Sequence, residues 1–297
     1  MRRGVAETGP PDRTCRKDGP TGLPCGIVSI RYREFPVDDA LAPYVRQIWL
    51  LECDGPALFG GPERIVADGV VEAIFHYRRP FTMRFARADA MGQPVSLLVS
   101  QISRYVEIQP AAAGGFVSVR FHPWGAHHFF AVPMREIGDR ATPADEVWPH
   151  RDVREVEDRI ATAGTDEDRA GAVQAFLRRR LDGHHKQDVS ALVRALWRTR
   201  APLRIDRIAG SLGISQRRLE RTFAAALGMT PKHLTRLARF LRACRRLRHA
   251  PDARLTGVAH DAGFYDQAHF IHEFRAFSGM TPGEFAASPR VSALDVE

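Results

Sequence analysis

Two segments of this chain, IAGSLGISQRRLERTFAAALGMTP (208–231) and VAHDAGFYDQAHFIHEFRAFSGMTP (258–282), are copies of one pattern. Ile208-Ala209 and Gly213 recur as Val258-Ala259 and Gly263, at an offset of 50. After one inserted residue, Leu219, Phe223, Gly228 and Met229-Thr230-Pro231 recur as Phe270, Phe274, Gly279 and Met280-Thr281-Pro282, at an offset of 51. Chance rarely preserves so many correlated positions, so the region folds as two examples of one supersecondary unit.

The physics of the unit follows from its residues. A short helix, 205–212 in one copy and 255–262 in the other, needs a small residue, Ala209 or Ala259, where a second helix crosses it closely. Glycine then ends the helix, because its backbone turns left-handed without a steric penalty. Ser215 or Asp266 caps the next helix. That helix buries Leu219 and Phe223, or Phe270 and Phe274, at i and i+4 on one face. Helix, tight glycine turn and helix together form a helix-turn-helix, whose second helix enters the DNA major groove in DNA-binding proteins. Many helical hairpins never touch DNA, and the outward face decides between the two roles. The first copy turns out Arg217, Glu220 and Arg221, flanked by Gln216 and Arg218. The second turns out Gln267, His269 and His272, with Arg275 one turn further. Such side chains suit base edges: Arg pairs with guanine, Gln with adenine, and Glu accepts from cytosine.

Between the copies runs TPKHLTRLARFLRACRRLR (230–248), which Thr230 caps and Pro231 opens. Leu234, Leu237, Ala238, Leu241 and Cys244 form its buried stripe, and Arg236, Arg239, Arg242 and Arg246 a second stripe. Eighteen or so helical residues span roughly 27 Å, close to the roughly 34 Å between successive major grooves on one side of B-DNA. An arginine stripe is commonly a solvated face, but its place between two reading units favours phosphate contact at the rod's ends, by Arg236 and Arg246. Charge agrees. Residues 1–187 carry 25 Lys+Arg and 25 Asp+Glu, whereas residues 188–290 carry 18 against 8. An excess of +10 in one small domain's worth of chain suits a polyanionic partner.

GFYDQAHFIHEFRAFSGMTP (263–282), with its weaker relative fifty residues earlier and the TP-initiated helix between them, resembles the DNA-binding domain of AraC-type transcriptional regulators. The resemblance covers about 188–290. It implies an all-α domain of two helix-turn-helix subdomains on a long linker helix, binding adjacent major grooves of double-stranded DNA. It also implies base contacts by Arg217, Glu220 and Arg221, and by Gln267, Ala268, His269 and His272. The family often has Arg or another strong donor where this chain has His272. RNA polymerase, a small-molecule effector and a second copy of the chain are the further partners that such a regulator implies.

Residues 28–135 alternate short apolar runs with turn signals. Runs 48–53, 70–77, 81–86, 95–100, 105–108 and 116–121 read as strands, with turns at Asp68-Gly69, Met91-Gly92 and Ala113-Gly114-Gly115. So many strands in so few residues predict an antiparallel barrel or sandwich. Helices follow at 153–163 and 166–181, giving an α+β chain. The expected organisation is a disordered leader (1–27), a β-rich sensor and dimerisation domain (28–182), a linker (183–187), the DNA-binding domain (188–290) and a tail (291–297). The segment 119–148 resembles an uncharacterised domain that accompanies this type of DNA-binding domain, and the resemblance names no ligand.

Other chemistry finds little support. His122, His127 and His128 are a tempting metal cluster, but on a helix starting near Pro123 the last two point about 100° apart, and no carboxylate sits at a matching offset. Glu72, Ile74 and His76 share one strand face, a faint sign of a pocket. Cys15, Cys25, Cys53 and Cys244 lie 10, 28 and 191 residues apart, which provides neither a zinc ribbon nor the cysteine-rich site of a DNA-repair regulator. No phosphate-binding loop or nucleophile-elbow motif occurs, so no enzyme, cofactor or metal is expected. No uncharged stretch reaches the roughly 20 residues of a spanning helix, and a reducing cytoplasm suits the cysteine usage. A third reading, an architectural DNA-binding protein whose N-terminal domain only dimerises, stays open at this point.

Overall fold

Side chains of a strand point alternately to its two faces, and here that alternation builds two compartments on either side of one sheet. The computed structural model describes residues 29–54, 61–86, 88–181, 189–198, 204–288 and 291–292. Its strands are β1 (Ser29–Phe35), β2 (Val45–Asp54), β3 (Glu63–Ile65), β4 (Glu72–His76), β5 (Thr82–Phe85), β6 (Met91–Gly92), β7 (Ser96–Val99), β8 (Val106–Gln109), β9 (Ala113–Phe121), β10 (Ala141–Pro143) and β11 (Val291–Ser292). Six form one sheet in the order β1-β2-β9-β4-β7-β10, and five a second in the order β11-β3-β8-β5-β6. Both sheets are open-ended, so of the two expected architectures the sandwich is the one adopted.

On β4, Ala73 and Phe75 enter a core shared with Val117, Val119 and Phe121 of β9. That core is roofed by two helices, α1 (His150–Thr162) and α2 (Asp166–Leu181), through Val153, Val156, Val173 and Phe176. Each such buried side chain contributes about 1.5–3 kcal/mol. Arg31 and Arg33 of β1 bind Asp166 at the start of α2, where a carboxylate also complements the helix dipole. The other face of the same sheet, with Glu72, Ile74 and Phe116, looks toward the second sheet.

Two expected turns are strands. Ala113-Gly114-Gly115 opens β9, and Met91-Gly92 is β6. The β9 glycines mark close approach rather than reversal: a Cβ on Gly114 would lie 2.2 Å from Phe81, and one on Gly115 2.8 Å from Arg78. The expected helix near Pro123 is a turn followed by a single 3₁₀ segment, Ala126–Phe129. The leader 1–27, the linker 183–187 and tail residues 293–297 lie outside the described residues. Val291 and Ser292 of the expected tail instead pair in parallel with Arg64 and Ile65 of β3.

The C-terminal part is helical: α3 (Ser190–Arg198), α4 (Ile205–Ser211), α5 (Gln216–Leu227), α6 (Pro231–His249), α7 (Leu255–Ala262), α8 (Gln267–Ser278) and α9 (Pro282–Ala287). Helix α6 carries both repeats. Leu234 packs with Ala209, Leu219 and Phe223 of the first, while Phe240 and Cys244 pack with Val258, Phe270 and Phe274 of the second.

Candidate nucleic-acid interface

The first repeat folds by the devices its sequence contains. Gly213, at φ +65°, turns the chain out of α4, and Ser215 Oγ caps α5 by accepting from Arg218 N at 3.2 Å. Leu219 and Phe223 are buried, which leaves Gln216, Arg217, Arg218 and Arg221 exposed on the opposite side. Glu220 is half-buried and accepts from Gln216 Nε2 at 2.9 Å, so these two side chains are held as a pair. Gly228 ends α5 at φ +72°. The Thr222, Ala225 and Ala226 flank of α5 adjoins the N-terminal domain, across a groove of about 470 Å³ bordered by His127, Pro133, Arg135 and Arg221. Arg221 stays exposed at the rim of that groove.

The second repeat is the same device with a stronger cap. Gly263 sits at φ +92°, and both Asp266 oxygens accept from α8, one from Ala268 N (3.0 Å) and one from His269 N (3.3 Å). Phe270 and Phe274 are buried, and Gln267, Ala268, His269, His272 and Arg275 are exposed. At the 51-residue offset, Gln267 takes the place of Gln216, Ala268 of Arg217, His269 of Arg218 and His272 of Arg221. The second comb is therefore shorter and less charged than the first. Tyr265, 85 % exposed in the turn just before the cap, belongs to the same surface. The sequence offers a signal for it, an aromatic residue with no place in the apolar spacing of either flanking helix.

The arginine stripe of α6 behaves differently from the expectation of a phosphate-facing row. Arg236 donates from Nε to Glu273 Oε1 at 2.7 Å, with Nη2 at 2.6 Å, and its guanidinium lies over Phe277. Arg239 lies over Phe264, and Arg242 donates to the carbonyls of Trp197 and Ala262. Arg246 stays exposed, 3.5 Å from Asp261. The stripe thus ties α3, α7 and α8 to the linker helix, and only its last member is largely open to solvent. Glu273 is 4 % exposed, one residue past His272 on α8, so the Arg236 pair fixes how that helix is held.

Residues 208–288 match the family described as "Helix-turn-helix domain", and residues 33–143 match "Domain of unknown function (DUF6597)". The protein carries an AraC-type helix-turn-helix domain. Among solved structures the chain is similar to ToxT from Vibrio cholerae, at 11% identity over 87% of this chain and 97% of ToxT, with a TM-score of 0.43. It is also similar to ToxT with an unsaturated fatty acid bound, at 11% identity over 80% and 96% of the two chains and a TM-score of 0.41. Over 33% of this chain and 90% of the other, it is similar to a probable AraC family transcriptional regulator from Rhodopseudomonas palustris, at 26% identity and a TM-score of 0.29. An AraC-type domain is a DNA-binding transcription-regulator domain, a class without catalytic activity of its own. Among the described residues, no helix is long and apolar enough to cross a membrane.

The N-terminal domain holds no metal centre among the described residues. His127 and His128 are buried with ring centroids 4.0 Å apart, whereas His122 stacks on Trp124, where burial and nearby Arg46 and Arg194 push its pKa down. Between the two sheets lies a cavity of about 330 Å³. Trp49, Leu51, Ile74 and Phe116 line it from one sheet, and Ile65, Val106 and Ile108 from the other. Its polar groups are Glu63, Asp68, Glu72, Gln93 and Ser100. Two of the three residues on the expected pocket face, Glu72 and Ile74, reach it directly. The third, His76, donates from Nε2 to the lining residue Gln93 at 2.9 Å.

Burial raises the Asp68 pKa to about 6 against the pull of Arg120, and burial also raises that of Glu63. Burial lowers the His76 pKa to about 4, so this imidazole is neutral at pH 7. Glu63, Asp68 and Ser100 come from separate strands and loops, with no shared spacing through which the sequence could have announced them.

Proposed function

We propose that the regulator binds a specific double-stranded DNA site, with α5 and α8 in successive major grooves, and that a small molecule in the inter-sheet cavity adjusts this binding. The observation that carries the reading is the pair of side-chain combs in the same register on two capped helices, joined by one rod. Helix α6 has 19 residues, or about 28 Å, which suits the roughly 34 Å between grooves once the width of the reading helices is added. In this assignment Arg217 and Arg221 read bases, with Gln216 and Glu220 acting as a bonded pair and Arg218 reaching the backbone. Gln267, Ala268, His269 and His272 line the second groove. Arg275 and Arg246 contact phosphates, and Arg236 acts chiefly by positioning α8. Residues 28–182 form the sensing unit and 188–290 the DNA-binding unit. The cavity fits the effector role because it is largely apolar, lies inside the sandwich and carries a few fixed polar groups.

Hydroxyl-radical footprinting on a site selected from random DNA tests the geometry. Two protected segments about 10 base pairs apart on one face are expected, and a single short segment would defeat the two-groove arrangement. Arg221→Ala should cost about 1–3 kcal/mol on the selected site and relax preference at one base pair. Equal weakening on selected and random DNA would remove Arg221 from base reading.

A further inference from the structure

The polar lining of the inter-sheet cavity is unbalanced in charge. Three carboxylates, Glu63, Asp68 and Glu72, line it, and the guanidinium opposing them is that of Arg120, itself 4 % exposed. Arg120 lies 3.3 Å from Glu72 and 3.7 Å from Asp68. Glu72 also accepts from Trp49 Nε1 at 3.1 Å, and Asp68 from Val70 N at 3.1 Å. Glu63 has no ion-pair partner among the described residues. Its neighbour Arg64 leaves by the other face of β3, to bind Glu107. A second, independent feature is Ser100: it lines the cavity, it is 1 % exposed, and its Oγ has no hydrogen-bond partner. A buried hydroxyl without a partner loses free energy that a bound polar group would restore. The apolar walls include Trp49 and Phe116, which meet edge to face with ring centroids 5.0 Å apart. Aromatic faces beside surplus carboxylate are what a cation prefers, and they repel a ligand carboxylate.

We infer that the cavity takes a small, mainly apolar molecule with a protonated amino group, the ammonium lying against Glu63 and Ser100 and the apolar body packed on the Trp49–Phe116 pair. This rests on the reading of the cavity as the effector site and adds the ligand's chemical class. The upward displacement of the Glu63 and Asp68 pKa values agrees, because burial disfavours the charged form of both carboxyl groups. At about 330 Å³ the cavity is at the small end of ligand pockets, which suits a molecule of this size. An ammonium has three donors, enough to satisfy both Glu63 and the Ser100 oxygen.

The test uses the full chain and three probes of nearly one shape: phenethylamine, phenethyl alcohol and hydrocinnamate. Calorimetric titration and thermal shift should show the amine binding roughly tenfold or more tightly than the alcohol, with the acid weakest. Glu63→Gln should weaken the amine about tenfold and leave the alcohol unchanged. Equal or tighter binding of the alcohol or the acid in the wild-type protein overturns the cationic assignment and leaves the cavity as a ligand site. Failure of all three to bind overturns both. Binding of the amine without any change in DNA affinity supports the ligand class and overturns the effector role.

Discussion

Arg236 offers the sharpest separation between holding the fold and holding DNA. Its guanidinium bonds Glu273, which is 4 % exposed and has one oxygen, Oε2, without a hydrogen-bond partner. Breaking a fully buried ion pair costs about 3–5 kcal/mol. Here the Arg236 side chain is 34% exposed and water can reach it, so Glu273→Ala should cost less, about 1–3 kcal/mol. For a folding unit of about 60–100 residues that corresponds to roughly 4–8 °C in Tm per kcal/mol. Arg236→Ala strands the carboxylate and should destabilise at least as much, and a double-mutant cycle should give a coupling of about 0.5–3 kcal/mol.

DNA binding supplies the second readout. Each lost phosphate contact reduces the slope of log affinity against log salt by about one. If Arg236 acts through the orientation of α8, Arg236→Ala lowers Tm and specific affinity while leaving that slope unchanged, whereas Arg246→Ala lowers the slope and spares Tm. Calorimetry combined with fluorescence anisotropy at several salt concentrations measures both. A reduced slope with an unaltered Tm in Arg236→Ala would refute the reasoning and return Arg236 to the phosphate-facing row.

Two groups in the cavity region should give opposite pH signatures. His76 is held neutral, its pKa lowered from 6.5 to about 4 by burial, so as pH falls from 6.5 to 4 the unfolded chain gains a proton that the native state refuses, and stability drops. His76→Gln should flatten the loss of Tm across that window, and an unchanged slope would mean that the imidazole is solvated. The Asp68 carboxyl, raised from 3.8 to about 6 chiefly by burial, is protonated earlier in the native state, so it adds stability as pH falls through 6 toward 3.8. Asp68→Asn should therefore steepen the acid loss of Tm. Gly279, at φ +73°, would place a Cβ 2.2 Å from Tyr105, while Gly213, at φ +65°, has no atom within 4 Å. Gly213→Ala should cost about 1–2 kcal/mol for the left-handed backbone alone, and Gly279→Ala clearly more. Equal urea midpoints for the two variants would mean that Tyr105 moves aside freely.

The two helix-turn-helix repeats were legible because everything that makes them is local. Ser215 and Asp266 cap within three residues, Gly213 and Gly263 turn within one, and Leu219–Phe223 and Phe270–Phe274 pack one turn apart. The fate of the arginine stripe was not legible, because spacing shows that Arg236, Arg239 and Arg242 share a face but not what lies across from it. Glu273, the Phe264 ring and the Ala262 carbonyl arrive there from 20 to 37 residues away in sequence. The strands were readable by alternation, and the β9 glycines misled because a close approach and a turn both favour glycine. Glu72 with Ile74 and His76 marked one wall of the cavity. The opposite wall comes from another sheet, and no periodicity within one strand refers to it.

For a molecule in the sandwich to alter DNA affinity, the cavity and the reading helices must share an element that both can bias. Strand β3 meets this condition. Its three residues alternate, so Glu63 and Ile65 line the cavity while Arg64 between them points away. There Arg64 lies over the Tyr105 ring and reaches the carbonyl of Ser278, the last residue of α8, at 3.5 Å. A ligand bonded to Glu63 would thus bear on the same short strand that contacts the C-terminal end of α8. The Asp68-Gly69 turn makes a second link. Asp68 lines the cavity, and the adjacent Gly69 packs so closely on Leu237 of α6 and Trp197 of α3 that a Cβ would meet Leu237 at 2.7 Å. The first link ends on the second repeat, and the second on the rod and on α3. The Thr222–Ala226 flank of α5 meets the N-terminal domain elsewhere, across the groove by His127 and Pro133. Under the proposed function, occupancy of the cavity would therefore act on the placement of α8 relative to α5, and DNA affinity would respond because both helices would have to meet the same duplex in register.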